Sequence, residues 1–540
     1  MVERELQSKE KVKKWLVEDL GYRFLGNKQD QDNTAILEDV LLDNLRKRGY
    51  DDSLAKRAVR EIVSLTKNQQ MSLYDLNKEI YSLVRYGFKA KPKPDSKPVT
   101  IQYIDWNVVE NNDFSFAEEV TVRCLDERYR KRPDIVIYIN GIAVCVFELK
   151  RSSVSLNEGI RQNLTNQRKE NIAHFFDTIQ LIFAGNESEG LNYGVIETPE
   201  KFFLNWKEDT KAEDQLSISI RELINKDNQP LRAGLISLCH KERLLEIMFH
   251  FMIYDAGVKK TCRHNQFFAN IAARKAVQEN RGGVIWNTQG SGKSLIMVWL
   301  TKWIIENITD SRVIIITDRD ELDDQIESLF DDVDEKIVRA KSCVDLRDLL
   351  NSHEARVMCS LIHKYGHDAG KQSDVDAYTE ELLKALPKGF EARGNIIAFI
   401  DECHRTNSGK LHAAVKAIMP NATLIGFTGT PLLKKDKKTS IETFGPYIHT
   451  YKFDEGVEDG VILDLRYEAR DVDQNLQDED KIDTWFEIKT EGLSERAKNQ
   501  LKQSWTTMNK LYSSGERLQR IAADILFDMN VKPRLRTNRG

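Results

Sequence analysis

The sequence lacks several features that would restrict what this chain can be. It has seven cysteines in 540 residues, and no two of them form a CxxC pair. This predicts reduced thiols in a cytosolic protein without a zinc site. The N-terminus shows no signal peptide and no apolar run is long enough to cross a bilayer, so we expect no membrane partner. The formal net charge is only -5, so any nucleic-acid binding must come from local basic patches.

The remaining composition fits a globular protein with several domains. Hydrophobic residues make up 41% of the chain and charged residues 31%, and this length corresponds to roughly three or four domains. Periodic apolar residues predict a helical N-terminal part, with Ser8 and Ser72 as helix caps and Gly21, Gly49 and Gly87 as helix ends.

Residues 284–294, VIWNTQGSGKS, carry the most specific pattern in the chain. An apolar strand end, a loop with Gly290 and Gly292, and a helix start predict a cradle in which backbone N–H groups face a phosphate. Lys293 is placed to reach the β- and γ-phosphates of a nucleotide, and the Ser294 hydroxyl is placed to bind Mg²⁺. Asn287 stands where the P-loop pattern begins with Gly. The alternative, an ordinary glycine-rich turn, fits the strand–loop–helix context less well.

Short β-rich runs alternate with helical stretches around this loop, and they predict a parallel sheet covered by helices. These runs are residues 284–286, 313–317, 396–400 and 423–427. Nucleotides bind at the carboxyl ends of such strands, where Asp401 is predicted to hold Mg²⁺ and Glu402 to position the attacking water. Thr428 and Thr430 suit a hydrogen-bonded link between the nucleotide site and a moving part. His404 fits core packing as well as it fits such coupling.

The second informative stretch is residues 128–150, RYRKRPDIVIYINGIAVCVFELK. Its two β-rich runs flank Asn140-Gly141, a strong hairpin signal. Asp134 opens the first run, and Glu148 and Lys150 end the second on one face. Two carboxylates on adjacent strands can hold Mg²⁺, which acidifies a water and stabilises charge on phosphorus. The alternative is an edge hairpin whose charges face solvent.

The register of this hairpin decides whether the carboxylates meet. A regular two-residue loop would place Asp134 opposite Phe147 and point it away from Glu148, because one slip of register turns every side chain to the other face. We therefore predict a three-residue loop that pairs Asp134 with Val146, or a bulge near Pro133 or Cys145.

A basic segment lies just upstream of the hairpin and is a candidate for holding a DNA backbone. Its members are Arg123, Arg128, Arg130, Lys131 and Arg132.

The ordered motifs resemble the restriction (R, HsdR) subunit of type I restriction-modification enzymes. The segments that carry the resemblance are RPDIVIYINGIAVCVFELK, RHNQFFA, NTQGSGKS, VIIITDRDELDDQI, DECHR, GFTGTPLLKKDKKTS and FGPYIHTYKFDEGVEDGVI. The resemblance implies an α/β chain in which a PD-(D/E)xK endonuclease domain precedes a RecA-like, P-loop motor of helicase superfamily 2. It implies the following division: 1–98, helical part of the nuclease domain; 99–230, nuclease core; 231–455, first motor lobe; 456–540, linker and start of a second lobe.

The resemblance also implies roles for individual residues. Asp134, Glu148 and Lys150 would form the nuclease triad, with Glu402 serving ATP hydrolysis. The implied nucleotide-binding residues are Gln266, which would read adenine, Thr288, Gly290, Gly292, Lys293, Ser294, Asp401, Thr428 and Thr430. The implied metal ligands are Asp134, Glu148, Ser294 and Asp401.

By the same resemblance, the cofactors would be ATP and Mg²⁺. The partners would be double-stranded DNA and the methyltransferase and specificity subunits, in the cytoplasm of a prokaryote. The assembled enzyme would pump DNA with ATP and cut unmodified DNA away from its recognition site.

Two departures from the family pattern shape these expectations. The helix after the nuclease strand carries Gln162, but Asn166 stands where the family often has Tyr. The sequence ends at Gly540, where a second motor lobe would begin, so we expect weak ATP binding and poor hydrolysis from this chain alone.

A remnant that binds nucleotide, DNA or partner subunits without turnover therefore stays open as an alternative function. A repair helicase-nuclease is less favoured, by family analogy, because the hairpin precedes the motor.

Overall fold

The computed structural model describes most of the chain up to residue 317 and selected segments after it. The described residues are 2–68, 70–92, 95–227, 229–317, 337–340, 342–352, 356–361, 392, 394–403, 419–430, 444–464, 488, 490–495, 498 and 515–531. The chain divides into two compact units, one ending at Asp459 and one beginning at Gly460. His404 and the basic run 432–440 lie outside the described residues.

The described α-helices are numbered here in chain order. In the first unit they are α1 (Val2–Glu18), α2 (Glu38–Lys47), α3 (Asp52–Thr66), α4 (Leu73–Tyr86), α5 (Leu156–Asn166), α6 (Gln215–Asn225), α7 (Pro230–Cys239), α8 (Lys241–His250), α9 (His264–Gln278), α10 (Lys293–Asn307), α11 (Cys343–Asn351) and α12 (Phe453–Glu458). The second unit contains α13 (Gly515–Val531). Among the described helices, none is long and apolar enough to cross a membrane.

The first sheet is mixed and has seven strands in the order β1-β4-β7-β8-β9-β10-β11. Its strands are β1 (Arg23–Asn27), β4 (Phe114–Glu118), β7 (Ile135–Ile139), β8 (Ile142–Leu149), β9 (Leu181–Asn186), β10 (Gly190–Gly194) and β11 (Leu204–Asn205). The central strands β7 and β8 are buried along their whole length, because the sheet is covered on both faces. Small two-stranded sheets accompany it, formed by β2 (Phe88–Ala90) with β3 (Val99–Ile101), β5 (Val122–Arg123) with β6 (Arg130–Lys131), and β12 (Met252–Asp255) with β13 (Val258–Thr261).

The second sheet is parallel throughout and has the order β16-β17-β15-β18-β19-β14-β20. Its strands are β14 (Gly283–Asn287), β15 (Ser311–Thr317), β16 (Ile337–Ala340), β17 (Val357–Leu361), β18 (Asn395–Ile400), β19 (Thr423–Thr428) and β20 (Tyr447–Tyr451). The predicted parallel sheet is therefore confirmed, and all four predicted β-rich runs are strands of it.

The N-terminal predictions are confirmed in part. Ser72 caps α4 by accepting the backbone N–H of Asp75 at 3.1 Å, and Gly21, Gly49 and Gly87 have the positive φ angles of helix-ending glycines. The prediction that Ser8 is a helix cap is wrong. Ser8 lies inside α1, where its hydroxyl donates to Glu187 Oε1 at 3.0 Å.

The hairpin of β7 and β8 combines a two-residue loop with a bulge. Asn140 and Gly141 both have positive φ angles, 53° and 82°, as a tight two-residue turn requires. The predicted three-residue loop is therefore wrong, because Ile139 pairs directly with Ile142. The predicted bulge is confirmed next to Cys145: Tyr138 pairs with Ala143 but Ile137 pairs with Cys145, which leaves Val144 as the extra residue. From that point the register is shifted by one.

Gly141 has a second constraint besides its positive φ. A Cβ there would lie 2.7 Å from the Leu37 carbonyl oxygen, whereas a Cβ at Gly257, in the β12–β13 turn with φ +83°, would meet nothing within 4 Å. In both Gly→Ala changes the alanine must adopt the left-handed backbone conformation, which raises the free energy of the folded state. Only Gly141→Ala adds a steric clash. We expect Gly141→Ala to lower Tm by at least about 2 °C more than Gly257→Ala in a calorimetric scan. Equal shifts would show that the packing of α2 on this turn does not constrain it.

Candidate active sites

The bulge brings the two predicted nuclease carboxylates to the same place. Ile135 pairs with Phe147, so continuing the register by one residue places Asp134 opposite Glu148. Asp134 Oδ2 accepts the backbone N–H of Leu149 at 2.8 Å, which fixes its side chain against the end of β8. Cross-strand neighbours of this kind share one face of a sheet.

Glu148 is fully buried in this position. Burial, and next the charge of Asp134, raise the pKa of Glu148 well above its ordinary value, while Lys150 acts in the opposite direction. Among the described residues, no hydrogen-bond donor reaches Glu148 Oε2. A buried carboxylate oxygen without a donor is costly unless a cation compensates it. Glu148 Oε2 can therefore accept a cation or carry a proton.

The oxygen donors fit a hard divalent cation such as Mg²⁺, which binds through one or two carboxylates and completes its shell with water and phosphate oxygens. Within the described part of the chain, no group of three or more His, Cys, Asp or Glu side chains is arranged to hold a metal. A cation here would therefore rest on Asp134 and Glu148 alone among the acidic side chains. Two carboxylates suit a cation whose shell is completed by water and by a substrate phosphate, and not a closed structural metal site.

Helix α5 supplies two further contacts to the site. Gln162 Oε1 accepts from Lys150 Nζ at 2.6 Å, and Asn166 Nδ2 donates to Glu148 Oε1 at 3.2 Å. Gly159 allows this helix to approach, since a Cβ there would lie 3.2 Å from the Glu148 carbonyl oxygen. Asn166, which departs from the family pattern, thus contacts the predicted catalytic glutamate directly.

Lys9 of α1 also lies in this site, although nothing in the local sequence indicated it. Its Nζ is 2.9 Å from Asp134 Oδ1 and is hydrogen-bonded to Glu119. Its side chain is only 12% exposed. Burial lowers the pKa of Lys9, but Asp134 and Glu119 together outweigh burial and the pKa is raised overall.

The upstream arginines are paired with carboxylates on the surface. Arg123 and Arg130 share Asp32, and Arg128 pairs with Asp126. Arg132 pairs with Glu119 at 2.6 Å. A DNA phosphate would have to compete with these acids, so the DNA-binding role of this segment stays a prediction.

The P-loop at the end of β14 has the predicted strand–loop–helix form. Gly290 and Gly292 have φ angles of 83° and 87°, and α10 begins at Lys293. Lys293 Nζ lies 3.1 Å from Glu402 Oε1. Ser294 follows in the first turn of α10, and the backbone N–H groups of a helix start are suited to an anion; the phosphate site itself stays a prediction. Asn287 is fully buried at the end of β14.

Gln266 contacts the P-loop instead of pointing away from it. Its Nε2 donates to the carbonyl oxygens of Ser291 at 3.3 Å and Gly292 at 3.1 Å, and its Oε1 accepts the Arg263 N–H at 2.8 Å. A Cβ at Gly292 would overlap this amide. The amide thus supports the loop in this state, and its reading of adenine stays a prediction. Thr288 is tied to the neighbouring strand by its N–H, which donates to the Tyr451 carbonyl at 2.9 Å.

Asp401 and Glu402 follow β18, which β19 separates from β14 in the sheet. Thr317 Oγ1 donates to Asp401 Oδ2 at 3.4 Å. Glu402 Oε2 accepts the Gly429 N–H at 3.3 Å, so this one carboxylate contacts both Lys293 and the loop after β19. Glu402 has a φ angle of 43°, in the left-handed region that is strained for a side chain of this length.

Thr428 and Thr430 close the same loop on itself. The Thr428 hydroxyl donates to the Thr430 carbonyl at 3.3 Å and accepts the Thr430 N–H at 3.4 Å. The two threonines therefore set the shape of the loop that holds Gly429 against Glu402. The structure brings the predicted nucleotide residues together, and a coupling role for the threonines stays a prediction.

Both sites lie in the first unit, where ion pairs link the part that carries the first sheet to the part that carries the second. Arg85 of α4 donates to both oxygens of Glu306 on α10, at 2.8 and 2.9 Å. Asp459, after α12, accepts from Lys207 at 2.9 Å and lies 3.0 Å from His264 Nε2 at the start of α9. The fold and these two sites define a P-loop ATPase domain that is joined to a nuclease-type α/β domain.

Comparison with known proteins finds similar proteins for both parts of the chain. The type I restriction enzyme R protein N terminus matches residues 3–201, and the SWI2/SNF2 ATPase family matches residues 265–499. The putative type I restriction enzyme MjaIXP endonuclease subunit of Methanocaldococcus jannaschii is 26% identical, over 94% of this chain and 53% of its own length. The type I restriction enzyme HindI endonuclease subunit of Haemophilus influenzae is 29% identical, over 90% of this chain and 47% of its own.

Over most of its length the chain is similar to type I restriction enzyme endonuclease subunits, and its N-terminal part matches the R protein N terminus of that family. The chain spans about half the length of the curated relatives it matches. Among solved structures, the Sulfolobus solfataricus SWI2/SNF2 ATPase core in complex with dsDNA is 14% identical, covering 33% of this chain and 35% of that chain with a TM-score of 0.24. A TM-score this low supports no argument about either site.

Proposed function

We propose that this chain is the nuclease and first motor part of a type I restriction R subunit, which uses ATP to move double-stranded DNA and cleaves unmodified DNA. The observation that carries the nuclease half is the placement of Asp134 opposite fully buried Glu148, with Lys150 on the same face. The observation that carries the motor half is the contact of Lys293 with Glu402 at the carboxyl ends of a parallel sheet.

The nuclease residues have separate tasks in this proposal. Asp134 and Glu148 would hold a divalent cation such as Mg²⁺, which would supply an acidified water and stabilisation of charge on the scissile phosphate. Lys150, positioned by its 2.6 Å hydrogen bond to Gln162, places its charge beside that phosphate. Asn166 fixes the orientation of the Glu148 carboxylate by donating to Oε1.

The motor residues divide the work in the same way. On ATP binding Lys293 would leave Glu402 for the β- and γ-phosphates, and Ser294 and Asp401 are the residues that would hold the accompanying Mg²⁺. Glu402, released from Lys293, then orients the attacking water. Because Glu402 also accepts from Gly429, its movement is transmitted to the loop of Thr428 and Thr430.

Plasmid cleavage by an R subunit that contains this chain, assembled with methyltransferase and specificity subunits, tests this proposal. We expect cleavage of unmethylated plasmid that requires both ATP and Mg²⁺, and protection by methylation. An assembled complex that binds nucleotide and DNA but neither hydrolyses ATP nor cuts would favour the non-catalytic alternative.

The isolated chain is expected to bind DNA without sequence preference, because none of its motifs is a base-reading signature. A titration at several salt concentrations would compare a fragment that contains the site recognised by the assembled complex with a scrambled fragment. We expect equal affinities at each salt concentration, whereas specific binding would differ by roughly 10³-fold or more. A preference of that size by the isolated chain would contradict the assignment of site recognition to another subunit.

A further inference from the structure

Lys9 occupies the side of Asp134 that faces away from β8. Asp134 Oδ2 is held by the Leu149 N–H at 2.8 Å, and Oδ1 is held by Lys9 Nζ at 2.9 Å. A divalent cation shared by Asp134 and Glu148 would therefore meet a like charge within a few ångströms, at side chains that are 12% and 14% exposed. Like charges repel strongly in such a partly buried site.

The position of Lys9 is set by the packing of α1 and not by chance contact. Val12, Trp15 and Leu16, further along the same helix, are buried in the main hydrophobic core. Ser8, the residue before Lys9, donates its hydroxyl hydrogen bond to Glu187. Because the apolar face of α1 packs in the core, the position of the helix places the Lys9 ammonium beside Asp134.

Lys9 has a second carboxylate partner, Glu119, with which it can stay paired when it leaves Asp134. Its Nζ is hydrogen-bonded to Glu119, whose backbone N–H donates to the Asp134 carbonyl at 2.9 Å. Glu119 also pairs with Arg132 at 2.6 Å. Lys9 can thus release Asp134 while it keeps a partner, which lowers the cost of the exchange.

We propose that Lys9 is a built-in counter-ion of the nuclease site, which holds Asp134 when the divalent cation is absent and transfers to Glu119 when the cation binds. Lys9 is a positioning residue, because it acts through Asp134. It sets the cation concentration at which the site fills, and it prevents the adjacent Asp134 and Glu148 carboxylates from repelling each other before then. The inference rests on the proposed nuclease function of Asp134 and Glu148.

Calorimetric titration of the full chain with Mn²⁺ alone, without nucleotide or DNA, tests this inference. The test variant is Lys9→Met, which removes the charge but keeps the apolar stem. We expect Lys9→Met to bind Mn²⁺ on the order of tenfold more tightly than wild type, equivalent to roughly 1.4 kcal/mol. Lys9→Arg, which keeps the charge, is expected to bind like wild type.

Lys13 provides a matched control on the same helix. It pairs with Glu118 at 2.8 Å and with Glu10, so Lys13→Met removes a comparable ion pair away from Asp134. We expect it to leave Mn²⁺ affinity unchanged. Thermal unfolding in EDTA supplies a second measurement: Lys9→Met should lower Tm without metal and show a larger rise in Tm on adding Mn²⁺ than wild type.

The outcomes distinguish failure of the Lys9 counter-ion role from failure of the proposed nuclease function on which it rests. If Asp134→Asn abolishes Mn²⁺ binding and Lys9→Met leaves it unchanged or weaker, the counter-ion role is wrong and the nuclease site stands. If Asp134→Asn leaves Mn²⁺ binding intact, or wild type binds none, the cation site of the proposed function is itself wrong. If Lys9→Met lowers Tm equally with and without Mn²⁺ and does not tighten binding, Lys9 has only a structural role.

Discussion

Replacing Glu148 by Gln is expected to abolish DNA cleavage by the assembled complex while leaving DNA-stimulated ATP hydrolysis intact. The change removes one of the two acidic ligands of the proposed cation. Metal stabilisation of transition-state charge contributes several kcal/mol, which corresponds to a loss of roughly a thousand-fold in rate. Plasmid cleavage and phosphate release, measured on the same preparation, report the two activities separately.

The Glu148→Gln variant should fold at least as well as wild type. Burial and Asp134 raise the pKa of Glu148 well above its ordinary value, so the fold already disfavours the ionised form and tolerates a neutral amide in its place. Gln can also keep the hydrogen bond from Asn166. Glu200→Gln is the matched control, since Glu200 is in the same domain and pairs with Arg161 at 2.8 Å, away from the site. Full cleavage by Glu148→Gln would exclude this carboxylate from catalysis.

Replacing Lys293 by Ala is expected to abolish ATP binding. The P-loop amides remain, but the ammonium that reaches the phosphates is lost, and Glu402 keeps its charge without that partner. Truncating one member of a buried charge pair costs about 2–5 kcal/mol, or roughly 30-fold to more than 1,000-fold in affinity. Titration with a fluorescent ATP analogue in the presence of Mg²⁺ measures the loss.

Lys275→Ala is the control for this variant, because Lys275 lies in α9 and outside the P-loop. In the assembled complex, Lys293→Ala should also lose cleavage, since the proposed function makes cleavage depend on ATP-driven translocation. It should nevertheless keep the Mn²⁺ affinity of the nuclease site. Nucleotide affinity close to that of wild type would mean that the Gly-rich loop does not hold the phosphates.

The features that sequence reasoning predicted correctly are those whose determinants are close together along the chain. The P-loop needs only a strand, two glycines and a helix start, and Asn140-Gly141 specifies its own turn. Strand β18 ends in two acids that face the loop, because parallel strands end at the same edge. The alternation of short apolar runs with helices was enough to predict the second sheet.

The features that could not be predicted depend on long-range packing. Val144 forms the bulge where the start of β8 meets residues 35 and 36, since Ile36 bridges to Ile142 and the Ala143 N–H donates to the Ala35 carbonyl. Lys9 reaches Asp134 only because α1 docks on the core. The apolar periodicity that predicts Ser8 as a cap begins at Val12, yet α1 already begins at Val2.

Anomalous diffraction from crystals of the chain grown with Mn²⁺ tests the central claim most directly, namely that Asp134 and Glu148 hold one divalent cation on the face set by the Val144 bulge. The account predicts a single strong peak at roughly 2.0–2.6 Å from an oxygen of each carboxylate, with Lys9 moved from Asp134 to Glu119. Saturating Mn²⁺ with no peak between these carboxylates, and with Lys9 still on Asp134, would contradict it.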